Sequence, residues 1–282
     1  MLVRTIGIIG AGTMGSGIAQ VSASAGYSVI LIDVSEDAVD MGVAAIARNL
    51  DRLVAKGKMS ATERDAAVRR ISRSTAYDAL ASADIVVEAA TENLELKVKI
   101  LKLIDPLVRP DAIVASNTSS VSITKLASAI SHPDRFIGMH FFNPVPVMSL
   151  VEIVRGLQTS DATHDIVEAL SKKLGKMPIT VKSSPGFVVN RILLPMLNEA
   201  FFVLAEDDAK PSEIDDAMKL GCNHPIGPLA LADLIGLDVL LSVMQSIHDD
   251  FGDSKYRPAP LLKELVAAGH LGRKSGRGIY RY

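Results

Sequence analysis

Residues 6–15 read Ile6-Gly7-Ile8-Ile9-Gly10-Ala11-Gly12-Thr13-Met14-Gly15, and residues 28–33 read Ser28-Val29-Ile30-Leu31-Ile32-Asp33. The first stretch is an apolar strand that runs directly into G-x-G-x-x-G. The second is another apolar strand that ends on an acid. In this order they form the dinucleotide-binding fingerprint with its structural context. Gly10 permits the tight strand-to-helix turn, Gly12 lets backbone approach a pyrophosphate, and Gly15 lets the helix pack close to the sheet. The amides of Thr13 and Met14 open that helix, and its positive end favours phosphate. Asp33 follows Gly15 by eighteen residues. A carboxylate there accepts the ribose hydroxyls and repels a 2′-phosphate, so NAD is expected over NADP. FAD uses the same fingerprint, but residues further along the chain favour nicotinamide.

Outward from this stretch, apolar strands alternate with amphipathic helices through about residue 180, the pattern of a doubly wound (Rossmann) α/β parallel sheet. Strands are predicted at Thr5–Ile9, Ser28–Ile32, Ile85–Ala89, Ile113–Ser116, Phe136–His140, Leu150–Val154 and Ile179–Val181, with one more near Ile71. Helices are predicted to start near Met14, Leu94, Ile123 and Asp161. Almost forty residues separate Asp33 from Ile71, more than a simple crossover needs. Two helical patterns fill this interval. The second opens at Ser60-Ala61-Thr62-Glu63 with capping-box spacing. A projecting antiparallel helical arm over about 35–70 is the economical expectation. Ser183-Ser184-Pro185-Gly186-Phe187 then reads as a hinge, which ends the first domain near residue 184. Residues 185–282 read as all-helical, with helices at about Phe187–Ala205, Ser212–Leu220, Pro228–Ile235, Leu237–Phe251 and Leu261–Ala268. Gly276–Tyr280 is expected to be extended.

The chain has 282 residues, 48% of them hydrophobic, and a net charge of −2. It is long enough for two domains with substantial cores. No basic excess points to nucleic acid or to an anionic membrane. The apolar stretch Leu229–Met244 is interrupted by Asp233 and Asp238, too polar for a membrane span. One cysteine, Cys222, leaves no intramolecular disulfide and has no partner for metal binding. The first strand starts about five residues in, leaving no room for a leader, so a cytoplasmic protein is expected. The late helices carry more apolar surface than they can bury alone, which predicts a homodimer through this domain.

Chemistry concentrates at the carboxyl ends of the strands, where open α/β sheets hold ligands. His140 closes the strand Phe136–His140. A histidine beside a nicotinamide can take the proton of a substrate hydroxyl. Glu152 lies on the next strand, beyond the Pro144-Val145-Pro146 turn, where it can meet and orient the imidazole. An ion pair without a role in turnover is the competing reading. Ser119, in Ser116-Asn117-Thr118-Ser119-Ser120, can bond a substrate oxygen, whereas Ser120 or Ser122 could equally cap the helix near Ile123. Asn190, one turn into the helix past the hinge, is open between a bridging amide and a polar group on an exposed face.

Together with the fingerprint, His140-Phe141-Phe142-Asn143-Pro144-Val145-Pro146, Ser184-Pro185-Gly186-Phe187-Val188-Val189-Asn190-Arg191, Gly227-Pro228-Leu229 and Ala232-Asp233-Leu234-Ile235-Gly236-Leu237-Asp238 closely resemble the L-3-hydroxyacyl-CoA dehydrogenases along the whole chain, the short single-function members most of all. The resemblance implies that His140 is the catalytic base and Glu152 its electrostatic partner. It implies that Ser119 and Asn190 place the substrate oxygen, and that Asn143 lies beside nicotinamide and thioester. Glu92, Lys97 and Lys274 match cofactor contacts, as Ser119 does. The arm matches a segment that covers coenzyme A, which makes Arg52, Lys56 and Lys58 candidates for its phosphates; a solvated basic face explains these three equally well. An acyl-CoA substrate of the 3-hydroxybutyryl-CoA/acetoacetyl-CoA type is implied, with NAD as cofactor and no metal.

Three other readings compete. A dehydrogenase of a free hydroxy acid or sugar acid shares the family's framework, but the basic arm counts against it. The 6-phosphogluconate type shares G-x-G-x-M-G but uses a lysine where Asn190 stands. A non-catalytic nucleotide-binding protein would have no need of His140, Glu152, Ser119 and Asn190 together.

Overall fold

The computed structural model describes residues 2–282, which divide into two compact units, one ending at Ser183 and the other running from Ser184 to Tyr282. In the first, β1 (Thr5–Ile9), α1 (Thr13–Ser24), β2 (Ser28–Ile32), α2 (Glu36–Ala55), α3 (Ala61–Arg69) and β3 (Ile71–Ser74) are followed by β4 (Ile85–Glu88), α4 (Leu94–Ile104), β5 (Ile113–Ser116), α5 (Ile123–Ala127), β6 (Phe136–Phe141), β7 (Leu150–Arg155), α6 (Asp161–Lys173) and β8 (Met177–Lys182). One eight-stranded sheet runs β3-β2-β1-β4-β5-β6-β7-β8. Strand order reverses between β1 and β4. This switch point opens a crevice at the carboxyl edge, beside the glycine turn. β1, β4 and β5 are apolar without alternation because helices cover both faces, and Ile8, Ile85 and Ile113 are fully buried.

One pairing departs from the expected parallel sheet. β6 and β7 are antiparallel, with Gly138 opposite Val154 and His140 opposite Glu152. Only residues 142–149 connect them, fewer than a parallel crossover requires, so the chain folds back as a hairpin. β8 pairs parallel with β7 and begins at Met177, two residues before the predicted start.

The helical pair forms as expected, but most of it does not project. Val39, Val43, Ile46 and Leu50 of α2 and Ala67 of α3 are buried in the sheet's core cluster. Ser60 and Glu63 form the capping box, and Arg64 ties α3 to Asp51 of α2 at 2.9 Å. Arg52 in the last turn of α2 and Lys56 and Lys58 in the connecting turn are exposed, as is the outer face of both helices.

Asp84 clasps β1 from the start of β4. It accepts from the amides of Arg4 (2.7 Å) and Thr5 (2.9 Å) and from the Arg109 guanidinium (2.7 Å). Burial pushes this carboxyl up, but the two amides and Arg109 outweigh it and hold it below the usual carboxylate range. The clasp therefore contributes stability above the unfolded carboxyl pKa and loses it as pH falls through the lower folded value. Arg109→Ala is expected to cost about 0.2–1 kcal/mol at neutral pH. It should also move the acid-unfolding midpoint, read by circular dichroism, to higher pH. An unmoved midpoint would show that Arg109 does not contribute to the clasp.

The second unit contains α7 (Val189–Ala205), α8 (Pro211–Cys222), α9 (Pro228–Ile235), α10 (Leu237–Phe251) and α11 (Pro260–Ala267) around a separate core that includes Leu197, Phe201, Leu229, Leu240 and Leu262. α7 starts two residues later than predicted, because Gly186 and Phe187 both adopt positive φ ahead of it. α9 and α10 bend by 96° where they meet, and among the described residues no single helix is long and apolar enough to cross a membrane. The carboxyl tail makes a 3-10 turn at Arg273–Ser275 and two isolated bridges in place of the expected extended run. Buried Asp233 holds the tail by accepting from the amides of Ile279 and Tyr280 and from the Tyr282 hydroxyl. Asp215 accepts from Leu229 and Ala230 at the start of α9 and from the Tyr280 hydroxyl at 2.7 Å. Burial, then the Asp215 carboxylate, pushes the Tyr280 hydroxyl far above its ordinary range.

Candidate active site

The glycine turn has the shape its sequence requires. Gly10 adopts φ +101°, and a Cβ there would meet the Ala89 carbonyl oxygen at 2.6 Å. A Cβ on Gly15 would fall 1.7 Å from the Gly10 carbonyl oxygen, so α1 can approach β1 only with glycine at that position. Gly12 differs, because a Cβ there would meet nothing within 4 Å. Its bare backbone therefore faces open space at the start of α1, whose first turn has no side-chain cap. Asp33 directly follows β2 and accepts from the amides of Ala11 (2.6 Å) and Val34 (2.7 Å), which fixes the carboxylate beside the turn. An open cradle, an uncapped helix start and an anchored acid together fit NAD.

His140 and Glu152 meet as their register requires. The imidazole Nδ1 lies 2.7 Å from Glu152 Oε2, with His140 5% and Glu152 0% exposed. An ionised carboxylate only accepts, so the neutral tautomer that suits this contact has its proton on Nδ1. The Phe142 ring packs against the imidazole at 4.4 Å between centroids. Buried on a strand and held by a carboxylate, the ring is fixed in its orientation at the carboxyl edge of the sheet.

Ser119 lies in the loop after β5. Its amide and hydroxyl both donate to Glu92 Oε1, the hydroxyl at 2.7 Å, and Thr118 Oγ1 lies 3.1 Å from the same oxygen. Ser122 caps α5 by accepting from the Lys125 amide, so Ser119 is not needed as a cap. Asn143 is exposed just past β6. Lys97, expected as a cofactor contact, is 1% exposed. Its ammonium is held inside the protein by Glu88 at 2.8 and 2.9 Å, and Glu92 Oε2 lies 3.5 Å away. It thus reaches the crevice through Glu92. In the second unit, Asn190 occupies the first turn of α7, partly exposed, and Lys274 donates to Asp238 at 2.6 Å. Burial raises the Asp238 carboxyl, but Lys274 and nearby amides bring it below its usual range.

Three groups at this edge escape a reading of the sequence. Glu88, 0% exposed, accepts from the Ser116 hydroxyl (2.6 Å) and the Ala90 amide (2.8 Å) as well as from Lys97. The one available signal was a lone acid closing an otherwise apolar strand. Asn117 accepts from the Phe141 amide at 2.9 Å, which ties the loop after β5 to the strand of His140. Lys176 donates to the carbonyls of Val145 and Met148 across the β6–β7 hairpin, and burial pushes its ammonium below the usual lysine range.

Comparison with known proteins matches nearly the whole chain to one family. Residues 5–184 match the family profile described as 3-hydroxyacyl-CoA dehydrogenase, NAD binding domain, and residues 186–282 match that of the C-terminal domain. A probable 3-hydroxybutyryl-CoA dehydrogenase of Bacillus subtilis is 51% identical, covering 100% of this chain and 98% of the relative. A 3-hydroxybutyryl-CoA dehydrogenase of Clostridioides difficile is 50% identical, covering 98% of this chain and 99% of its own. The crystal structure of (S)-3-hydroxybutyryl-CoA dehydrogenase from Ralstonia eutropha superposes with a TM-score of 0.98 at 65% identity, covering 100% of this chain and 99% of that one.

Proposed function

Because the chain belongs to the 3-hydroxyacyl-CoA dehydrogenase family and is an NAD-dependent oxidoreductase, we propose that it interconverts (S)-3-hydroxyacyl-CoA and 3-ketoacyl-CoA, with 3-hydroxybutyryl-CoA and acetoacetyl-CoA as the leading pair and His140 as the proton-transfer group. The observation that carries the assignment of His140 is the 2.7 Å contact between a buried imidazole and a buried carboxylate at the carboxyl edge of the sheet.

NAD, when bound, supplies the acceptor for the hydride released from the carbinol carbon. Gly10, Gly12, Thr13, Met14 and Gly15 would hold its pyrophosphate, and Asp33 its adenosine ribose. In the oxidative direction, Nε2 of His140 takes the hydroxyl proton as the carbonyl forms, and in reduction it returns that proton to the oxygen. Glu152 offsets the charge that builds on the ring. A positioned base of this kind supplies about 10²–10⁴-fold, so holding the substrate in place must supply most of the rest. Ser119 and Asn190 are assigned to the substrate oxygen, Asn143 to the thioester side, and Glu92 to the cofactor, with Lys97 setting Glu92 from behind. Lys274 is assigned to the cofactor, and Arg52, Lys56 and Lys58 to the coenzyme A phosphates. Exposed Ile192 (68%), Leu220 (87%) and Leu234 (52%) on α7, α8 and α9 support a homodimer through the helical unit, to be read by sedimentation.

Loss of NADH on addition of acetoacetyl-CoA tests the activity, with free acetoacetate and NADPH as parallel arms. Turnover of the thioester with NADH alone is expected. Turnover of the free acid in preference would favour a hydroxy-acid dehydrogenase. Asp33→Asn, which removes the charge but retains an acceptor, is expected to weaken NADH binding by about ten- to a hundredfold, the worth of one or two charge-assisted hydrogen bonds. Unchanged affinity would remove Asp33 from the ribose site.

A further inference from the structure

The strand that carries His140 outruns its neighbour on one side. Pairing between β5 and β6 ends at Ser116 opposite Gly138, yet β6 continues through Met139 and His140 to Phe141. On the β7 side this extension stays paired through His140 opposite Glu152 and Phe141 opposite Val151. On the β5 side the backbone ladder has stopped, and the Phe141 amide needs another acceptor. Asn117 Oδ1 provides it at 2.9 Å. Asn117 is held in turn, because its own amide donates to the Glu88 carbonyl at 2.7 Å. The Glu88 side chain is fastened inside the protein by Lys97 and Ser116.

We propose that Asn117 is a positioning residue for the reaction, replacing the missing rung of the sheet so that the main chain of His140 stands still relative to the crevice between β1 and β4. The proposal rests on His140 being the proton-transfer group. Glu152 sets the ring's tautomer and rotation, but it lies on the far side of β6 from β4 and β5 and cannot by itself fix where β6 sits against them. Asn117 joins the ends of all three strands through one side chain and its own amide. Its effect is therefore on distance: with the acceptor gone, the imidazole keeps its proton and its partner but loses its place. Displacement of a reacting group by about 1 Å is enough to cost about a hundredfold in rate.

The test compares Asn117→Ala with Asn117→Asp, whose carboxylate can accept from the same amide, using acetoacetyl-CoA and NADH. Asn117→Ala is expected to lower kcat by about ten- to a hundredfold, with unchanged NADH affinity by fluorescence titration and a melting temperature lowered by a few degrees, because the Phe141 amide loses its acceptor. Asn117→Asp is expected to recover most of that loss. If the alanine variant does not fold, Asn117→Ser, whose hydroxyl is too short to reach the amide, replaces it. Retained kcat in the alanine or serine variant, equal losses in it and Asn117→Asp, or a loss confined to NADH affinity would each overturn the proposal. His140→Ala is measured alongside. If that variant turns over normally, the assignment of His140 fails. If it is inactive while Asn117→Ala is not, the positioning role alone fails.

Discussion

His140→Gln is expected to lower kcat in both directions by about 10²–10⁴-fold, the share that a positioned base supplies, while NADH binds as before. Glutamine fills similar space and can donate its amide to Glu152, so the buried carboxylate keeps a partner and the strand keeps its packing. What it lacks is a lone pair basic enough to take a proton at neutral pH. The cofactor cradle lies on β1, α1 and β2, none of which carries His140. Fluorescence titration with NADH should therefore give the same dissociation constant, and stopped-flow reduction of acetoacetyl-CoA should show that the chemical step itself is slowed. A kcat near that of the unmodified protein would remove His140 from the mechanism and leave its contact with Glu152 as a structural pair.

The largest expected effect on stability is that of Lys97→Met. Lys97 is 1% exposed and Glu88 0% exposed, and the ammonium lies 2.8 and 2.9 Å from the two carboxylate oxygens. Methionine matches the apolar stem of lysine but leaves Glu88 ionised inside the protein, with only the Ala90 amide and Ser116 hydroxyl as partners. Breaking one side of such a pair costs about 3–5 kcal/mol, because the remaining charge still bears its desolvation penalty. For a unit of this size that corresponds to a fall of about 6–20 °C in melting temperature. The double variant Glu88→Gln/Lys97→Met removes the stranded charge and should regain most of the loss. A single variant that melts within a degree or two of the parent, or a double variant no better than the single, would show that the pair is not uncompensated when broken.

Both predictions concern one edge of one sheet, and the two sites were not equally legible in the sequence. His140 and Glu152 could be paired on paper because a short turn containing Pro144 and Pro146 separates two apolar strands, and a turn that short brings facing residues together. The same shortness makes β6 and β7 antiparallel, a consequence that the general α/β pattern obscures. The helical arm was legible in its elements and its capping box, but not in its packing. The apolar stripe Val39, Val43, Ile46 and Leu50 lies at helical spacing and has to be covered, and the sheet's own core covers it. Lys97 was recognisable as important but not as buried. A lysine on an amphipathic helix is ordinarily solvated, and only the position of Glu88 at the end of β4 turns it inward.

By itself, the sequence determined the strand-glycine-helix-strand-acid order, the place where the chain divides into two units and the order of helices after it, because each of these depends on chain-local demands: a φ that only glycine accepts freely, a period of 2 or 3.6, an acid at the end of a strand. Only the tertiary structure decided the partners of Glu88, Asn117 and Lys176, which bond across the gaps to Lys97, Phe141 and the carbonyls of Val145 and Met148. The physical reason is that an asparagine, a lysine or a glutamate is compatible with many acceptors and donors. Which one it meets depends on the register and end-point of strands far along the chain, and here on β5 stopping three residues before β6.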